Sequence, residues 1–203
     1  GVAVLLRKNV LEKIGYMDED FFLYSEEIDL SWRMNLAGYK QFVVPNSIVY
    51  HLGSTTTLKK IYDKDYLQNK NKNIFTALVK DNNFQKNYLL HRNTFTTLLK
   101  NYSRKRWLWA ILFKVSFEVV TFFAFLFKQP KRSLAVLAAD IWILLNIGTI
   151  VKKNKEIEKL KVISDKEIMK RMIKKSVVIE YFLKGRKKFN EYNEYILNYD
   201  NFY

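Results

Sequence analysis

The chain opens on Val2 to Leu6, an unbroken apolar, β-branched run with the length of a buried strand. "KNVLEKIG" follows and predicts a short helix ended by Gly15. "YMDEDFF" is polar enough to be a loop. From Ser25, a residue suited to an N-cap, a second helix is predicted to about Ala37, with Gly38 as its stop. Ile28, Trp32 and Leu36 recur at i, i+4 and i+8 and give that helix an apolar stripe. "KQFVVP" and "SIVYH" read as two further strands, separated by Pro45-Asn46. The order strand, helix, helix, strand, strand is α/β in character.

The period then changes. Residues 55 to 106 are polar and helix-prone, and "HRNTFTTLLKNY" sets Phe95, Leu98, Leu99 and Tyr102 on one side. Two apolar segments follow, Trp107 to Phe127 and Ser133 to Val151, each about the 20 residues that cross a bilayer core. Both carry polar residues: Lys114 and Glu118 in the first, Asp140 and Asn146 in the second. A charge at mid-membrane costs about 2.5–3.5 kcal/mol on insertion scales. Lys114 and Glu118, four apart, can pair and lower that cost. Lys152 to Tyr203 is a basic, largely helical tail.

Charge sharpens the picture. The net charge of +15 calls for a polyanionic partner, nucleic acid or an anionic membrane surface. The basic clusters "SRKRW" and "KQPKR" border the apolar segments, which favours the membrane. No nucleic-acid-binding module is recognisable, so no nucleic acid is expected. Two full spans would put "KQPKR" on the side opposite "SRKRW" and "KKNK", against the positive-inside rule. The expected arrangement is therefore a re-entrant or interfacial helix pair in the cytoplasmic leaflet. The absence of cysteine removes disulfides and thiol catalysis. The oligomeric state is unreadable, and an oligomer is compatible with this pattern.

The candidate chemistry lies in "FFLYSEEIDLSWR", where Glu26, Glu27 and Asp29 stand at a predicted helix start. Acids there are favoured by the helix dipole, and Asp29 with Arg33 makes an i,i+4 pair, so an ordinary helix start explains them too. Their context adds a second reading. Met17 to Phe22, Tyr24, Glu26-Glu27, Asp29-Leu30, Arg33, Ala37-Gly38-Tyr39, Val44-Pro45, Val49-Tyr50-His51 and Gly53-Ser54 follow an ordered pattern. That pattern resembles the C-terminal half of the catalytic domain of family 2 glycosyltransferases, near the bacterial rhamnosyltransferase-like members. "HRNTFTTLLKNYS" and "IEKLKVISDKEI" resemble the connecting and tail segments of such enzymes.

The resemblance implies a partial GT-A fold, α/β, followed by an α-helical membrane-associated region. Residues 1–60 would be the acceptor-side half of the catalytic domain, 61–106 a helical connector, 107–151 the apolar helices and 152–203 the tail. It implies inverting transfer of a sugar from a nucleotide-sugar donor to a glycan or lipid-linked acceptor of a cell-surface polymer, on the cytoplasmic face. The donor-binding half, with its Asp-x-Asp element, is expected before Gly1. In such a reaction one carboxylate accepts the proton of the acceptor hydroxyl as its oxygen attacks the anomeric carbon. The leaving diphosphate needs a divalent cation, Mn²⁺ or Mg²⁺, or fixed donors.

The family's base is the second acid of its Glu-Asp pair, which falls on Glu27. Here Glu replaces Asp, and the added methylene displaces the carboxylate by about an ångström, enough to cost about 10²-fold in rate. Backbone compensation, service by Glu26 or Asp29, and lost activity all stay open, the last implying a non-catalytic membrane scaffold. Arg33 and Asp29 are expected to orient the helix and the acceptor loop more than to do chemistry. Trp32, on the apolar stripe, is core or a sugar-stacking ring, and Ser54 is a candidate phosphate contact. The resemblance implies that His51 can help hold the metal or the diphosphate, although a lone histidine is also a common structural residue. His91 reads as structural.

Overall fold

A computed structural model describes residues 3–44, 46–50, 82–170 and 172. Among them the chain is helical: α1 (Lys8–Ile14), a 3-10 turn (Glu19–Phe21), α2 (Glu26–Leu36), α3 (Asn82–Asn101), α4 (Arg104–Phe125), α5 (Pro130–Leu160) and α6 (Asp165–Lys170). The expected strands at 2–6, 40–45 and 47–51 are not formed among the described residues, so the α/β GT-A expectation is not confirmed by this architecture. The physical reason lies in pairing. A strand needs a neighbour for its backbone N–H and C=O groups and for its apolar faces. Among the described residues these segments have none, and Leu5, Val43 and Tyr50 are 100%, 91% and 95% exposed.

The two predicted short helices form. Gly38, at φ +83°, closes α2: its N–H donates to Asn35 O and that of Tyr39 to Met34 O, the paired bonds of a glycine-terminated helix. The buried face of α2 differs from the predicted stripe. Ile28 is exposed, and Leu30 and Met34 pack on Val10 and Ile14 of α1. The face is rotated because Asp29 and Arg33 point inward, where Arg33 donates to Ile14 O, Gly15 O and Tyr16 O at 2.8–2.9 Å. At its far end Leu36 meets Ile157 and Ile168, and Leu36 O accepts from the N–H groups of Val162 and Ile163. The end of α5 and the segment before α6 thus hold α2 in place.

The other helices form one body around α3, which packs chiefly along α5. Phe95 and Leu99 of α3 meet Ile143 and Ile150 of α5, and Asn154 of α5 donates to Leu99 O, Lys100 O and Tyr102 O, satisfying the end of α3. The second apolar segment and the start of the basic tail are one helix, α5. The hairpin of α4 and α5 is patterned inside out. The buried residues of α4 are Lys114, Glu118 and Thr121, whereas Leu108, Trp109, Leu112, Phe113, Val120 and Phe123 are exposed. Lys114 and Glu118 make the predicted ion pair, and His91 Nδ1 lies 3.3 Å from the same Glu118 oxygen. The buried side of α5 begins with the small residues Ser133, Ala135 and Ala139, which let helices approach closely. Both helices are long and apolar enough to cross a membrane.

Candidate functional site

The acids of α2 are set by the loop before it, residues 18 to 25. Phe22, Tyr24 and Ser25 all take left-handed backbone conformations, at φ +59°, +69° and +68°. Non-glycine residues reach that region at a cost of about 1–3 kcal/mol each and stay there only when surroundings hold them. Ser25 occupies the predicted cap position, yet its side chain makes no capping hydrogen bond; its carbonyl accepts from Asp29 N–H at 2.9 Å. The loop is held from α3. Asn93 Nδ2 donates to Phe21 O, Leu23 O and Tyr24 O at 2.7–2.9 Å, and Arg92 donates to Asp20 O and Phe21 O.

A buried charge network anchors the same loop. Asp29, fully buried, accepts from Arg33 Nε at 2.9 Å through one oxygen, and from Asn101 Nδ2 at 2.9 Å and Lys100 Nζ at 3.0 Å through the other. Lys100 also reaches Asp18 at 2.5 Å, and Lys153 of α5 joins Asp18 at 2.6 Å and Asp20 at 2.5 Å. Three carboxylates thus face three cations. Burial pushes the Asp18 carboxyl up, but Lys100 and Lys153 outweigh it and hold its pKa down to about 2. A carboxylate depressed in the folded state stabilises the fold above its unfolded pKa and loses that contribution as pH falls through the folded value. Stability from Asp18 is therefore present above about pH 4 and lost toward pH 2. Acid titration followed by circular dichroism is expected to show Lys153→Met unfolding at a higher pH than the parent.

Glu26 and Glu27 are the partly exposed acids of the group. Partial burial tends to raise the Glu27 carboxyl. A hydrogen bond from its own backbone N–H acts the other way, and the net position is below the ordinary glutamate range. Glu27 is thus ionised at neutral pH, as an acceptor of protons must be. Asp29 and Arg33 are turned away from solvent, their bonding capacity taken up by the protein. Trp32 packs with Leu36, Ile157 and Ile168 and meets Tyr102 edge-on at 4.8 Å. His51 and Ser54 lie outside the described residues.

The described residues do not suit the expected divalent cation. Among them no group of three His, Asp or Glu side chains can hold a metal ion. Asp18 and Asp20, the nearest acidic pair, already have lysine ammonium groups as counter-ions.

A family model described as glycosyl transferase family group 2 matches residues 1–148, most of the chain. The chain belongs to this glycosyltransferase family. It is also similar to the N-acetylglucosaminyl-diphospho-decaprenol L-rhamnosyltransferase of two Mycobacterium tuberculosis strains. Each match is 35% identical over 51 residues, covering 25% of this chain and 17% of the relative's length. No solved structure matches. The acidic loop and the start of α2, with Glu26 and Glu27, lie within the residues that the family model matches.

Sequence reasoning singled out Glu27 and its neighbours but not the residues that hold the loop before them: Arg92, Asn93, Lys100 and Lys153. A signal was present. Asn93, Thr97 and Asn101 recur every four residues, as do Arg92, Thr96 and Lys100, and all six are buried. Such a double polar row on a core helix needs polar partners, and the loop carbonyls and carboxylates supply most of them.

Proposed function

We propose that this chain is the acceptor-side portion of an inverting glycosyltransferase. It moves a sugar, of the hexosyl or rhamnosyl type, from a nucleotide-sugar donor to a glycan or lipid-linked acceptor in cell-surface polysaccharide synthesis. The observation that carries the reading is the pair Glu26-Glu27, presented at a helix start by a loop that the surrounding helices hold in a costly conformation. In the reaction, Glu27 accepts the acceptor hydroxyl proton. The oxygen forms a bond to the anomeric carbon from the face opposite the diphosphate, whose C–O bond breaks with the electron pair leaving on phosphate. The donor-binding portion, with the charge that meets the diphosphate and any divalent cation, is assigned outside the described residues. The exposed Leu5, Val43 and Tyr50 support this, because they are strand-like segments awaiting partners.

The acceptor is placed at a membrane. The inside-out patterning of the apolar stretch supports it: Lys114 and Glu118 of α4 are buried and pair, while Leu108, Phe113, Leu144 and Leu145 face outward. Exposed Trp109 beside Arg104, Lys105 and Arg106 is the composition of an interface that meets anionic lipid headgroups. The relative's acceptor, a diphospho-decaprenol, is itself lipid-linked. The basic clusters that border the apolar segments support assigning the site to the cytoplasmic face. The test uses membrane vesicles carrying the full-length protein, a panel of labelled nucleotide-sugars, and lipid-diphosphate-linked sugar acceptors. Labelled lipid product is expected from inside-out vesicles and not from sealed right-side-out ones. Failure of every donor to label the lipid fraction would overturn the reading.

A further inference from the structure

We infer that Asn93 is a positioning residue for the transfer reaction, so that α3 and α5 belong to the catalytic apparatus and do not serve only as an anchor. The inference rests on the reading of Glu26-Glu27 as the acids of the site. One side-chain amide satisfies three loop carbonyls, those of Phe21, Leu23 and Tyr24, at 2.9, 2.7 and 2.7 Å. The bonds bracket Phe22 and end next to Ser25, so they span the left-handed residues that lead into Glu26. An amide NH₂ has two hydrogens, so three acceptors require shared bonds, and no other uncharged side chain of this size offers as many donors at one nitrogen.

The amide is itself oriented. Arg92 Nε donates to Asn93 Oδ1 at 2.8 Å, which turns the NH₂ group toward the carbonyls. Arg92 in turn is seated with its guanidinium 4.7 Å over the Trp142 ring of α5 and 5.3 Å over Tyr88, while it donates to Asp20 O and Phe21 O. A physical chain therefore runs from α5 through Trp142, Arg92 and Asn93 to the loop and its acids. Its groups are buried: Asn93 is 1% and Arg92 8% exposed. Without the amide, Leu23 O and Tyr24 O lose its hydrogen bonds and Phe21 O keeps only those from Arg92 and Leu23 N–H, so the loop loses most of what ties it to α3. A carboxylate shift of about 1 Å is enough to cost about 10²-fold in rate.

The test compares the full-length protein in its membrane with Asn93→Leu, nearly the same volume without the donors, and with Asn87→Leu as a control. Asn87 lies on the same helix and bonds only to Asn83 O. The expected result for Asn93→Leu is a kcat lower by about 10²-fold with the donor KM unchanged. Hydrogen exchange at amides 22–28 is expected to quicken while α3 and α5 stay protected. Should Asn93→Leu fail to fold, Arg92→Lys takes its place: it keeps the charge over Trp142 but loses the fork on the carbonyls, and a several-fold lower kcat with faster loop exchange is expected. Unchanged loop exchange, or a parental kcat with the loop released, overturns the inference. Glu27→Gln run in parallel separates the two readings. If it keeps turnover while Asn93→Leu loses it, Glu27 is not the base but the loop is still positioned by Asn93. If it loses turnover while Asn93→Leu does not, only the positioning role fails.

Discussion

Glu27→Gln, made in the full-length protein, is expected to lower transfer by about 10²–10⁴-fold, the range that general-base catalysis supplies. The amide keeps the size and polarity of the carboxylate but cannot take the acceptor's proton. Nucleotide affinity is expected to stay at the parental value, because the donor is bound elsewhere, so the loss falls on kcat. The pH profile carries a second mark. Partial burial tends to raise the Glu27 carboxyl, but its backbone N–H opposes this and the group sits below the ordinary glutamate range. Its deprotonated form persists above that lowered value, so the acid limb of kcat/KM in the parent is expected below about pH 4.5, near or under the ordinary glutamate value. Turnover by Glu27→Gln equal to the parent's would remove Glu27 from the mechanism. The departure from the family's Asp would then count toward a non-catalytic membrane scaffold descended from a transferase.

Legibility in the sequence followed the range of the interactions. The two short helices and their glycine stops were readable because capping and periodicity act within a few residues. Lys114 and Glu118 were readable for the same reason, four apart on one helix. The strands were not, because a strand is decided by a neighbour distant in sequence, and Leu5 or Val43 has none among the described residues. The rotation of α2 was hidden likewise. Ile28 looked like core until Arg33 found the carbonyls of Ile14, Gly15 and Tyr16, and Asp29 found Lys100 and Asn101, some seventy positions away. The motif singled out the acids, whereas Arg92, Asn93 and Lys100 lie in a segment that reads first as a polar helical connector, and Lys153 at the start of what reads as the basic tail.

The largest stability effect is expected at Asp29, and it separates the two kinds of acid in the motif. Asp29→Ala removes the counter-ion of Arg33 and one of the two carboxylates bound to Lys100, both cations being nearly inaccessible to water. Deleting one member of a buried charge pair costs about 3–5 kcal/mol, because the partner stays buried without compensation. Against a total stability of about 5–15 kcal/mol, that is a large share of the margin. Arg33 would also lose the group that aims it at the end of α1, so Val10 and Ile14 should loosen from Leu30 and Met34. Asp29→Asn should cost less, since its amide can still accept from Arg33 or Lys100. Glu27→Gln, at a partly buried position with no ion pair to Arg33, Lys100 or Lys153, should unfold with the parent. Thermal unfolding in detergent measures all three. The expected order of Tm is parent and Glu27→Gln together, then Asp29→Asn, then Asp29→Ala. An Asp29→Ala variant as stable as the parent but without transfer would reverse the assignment and make Asp29 the reacting carboxylate.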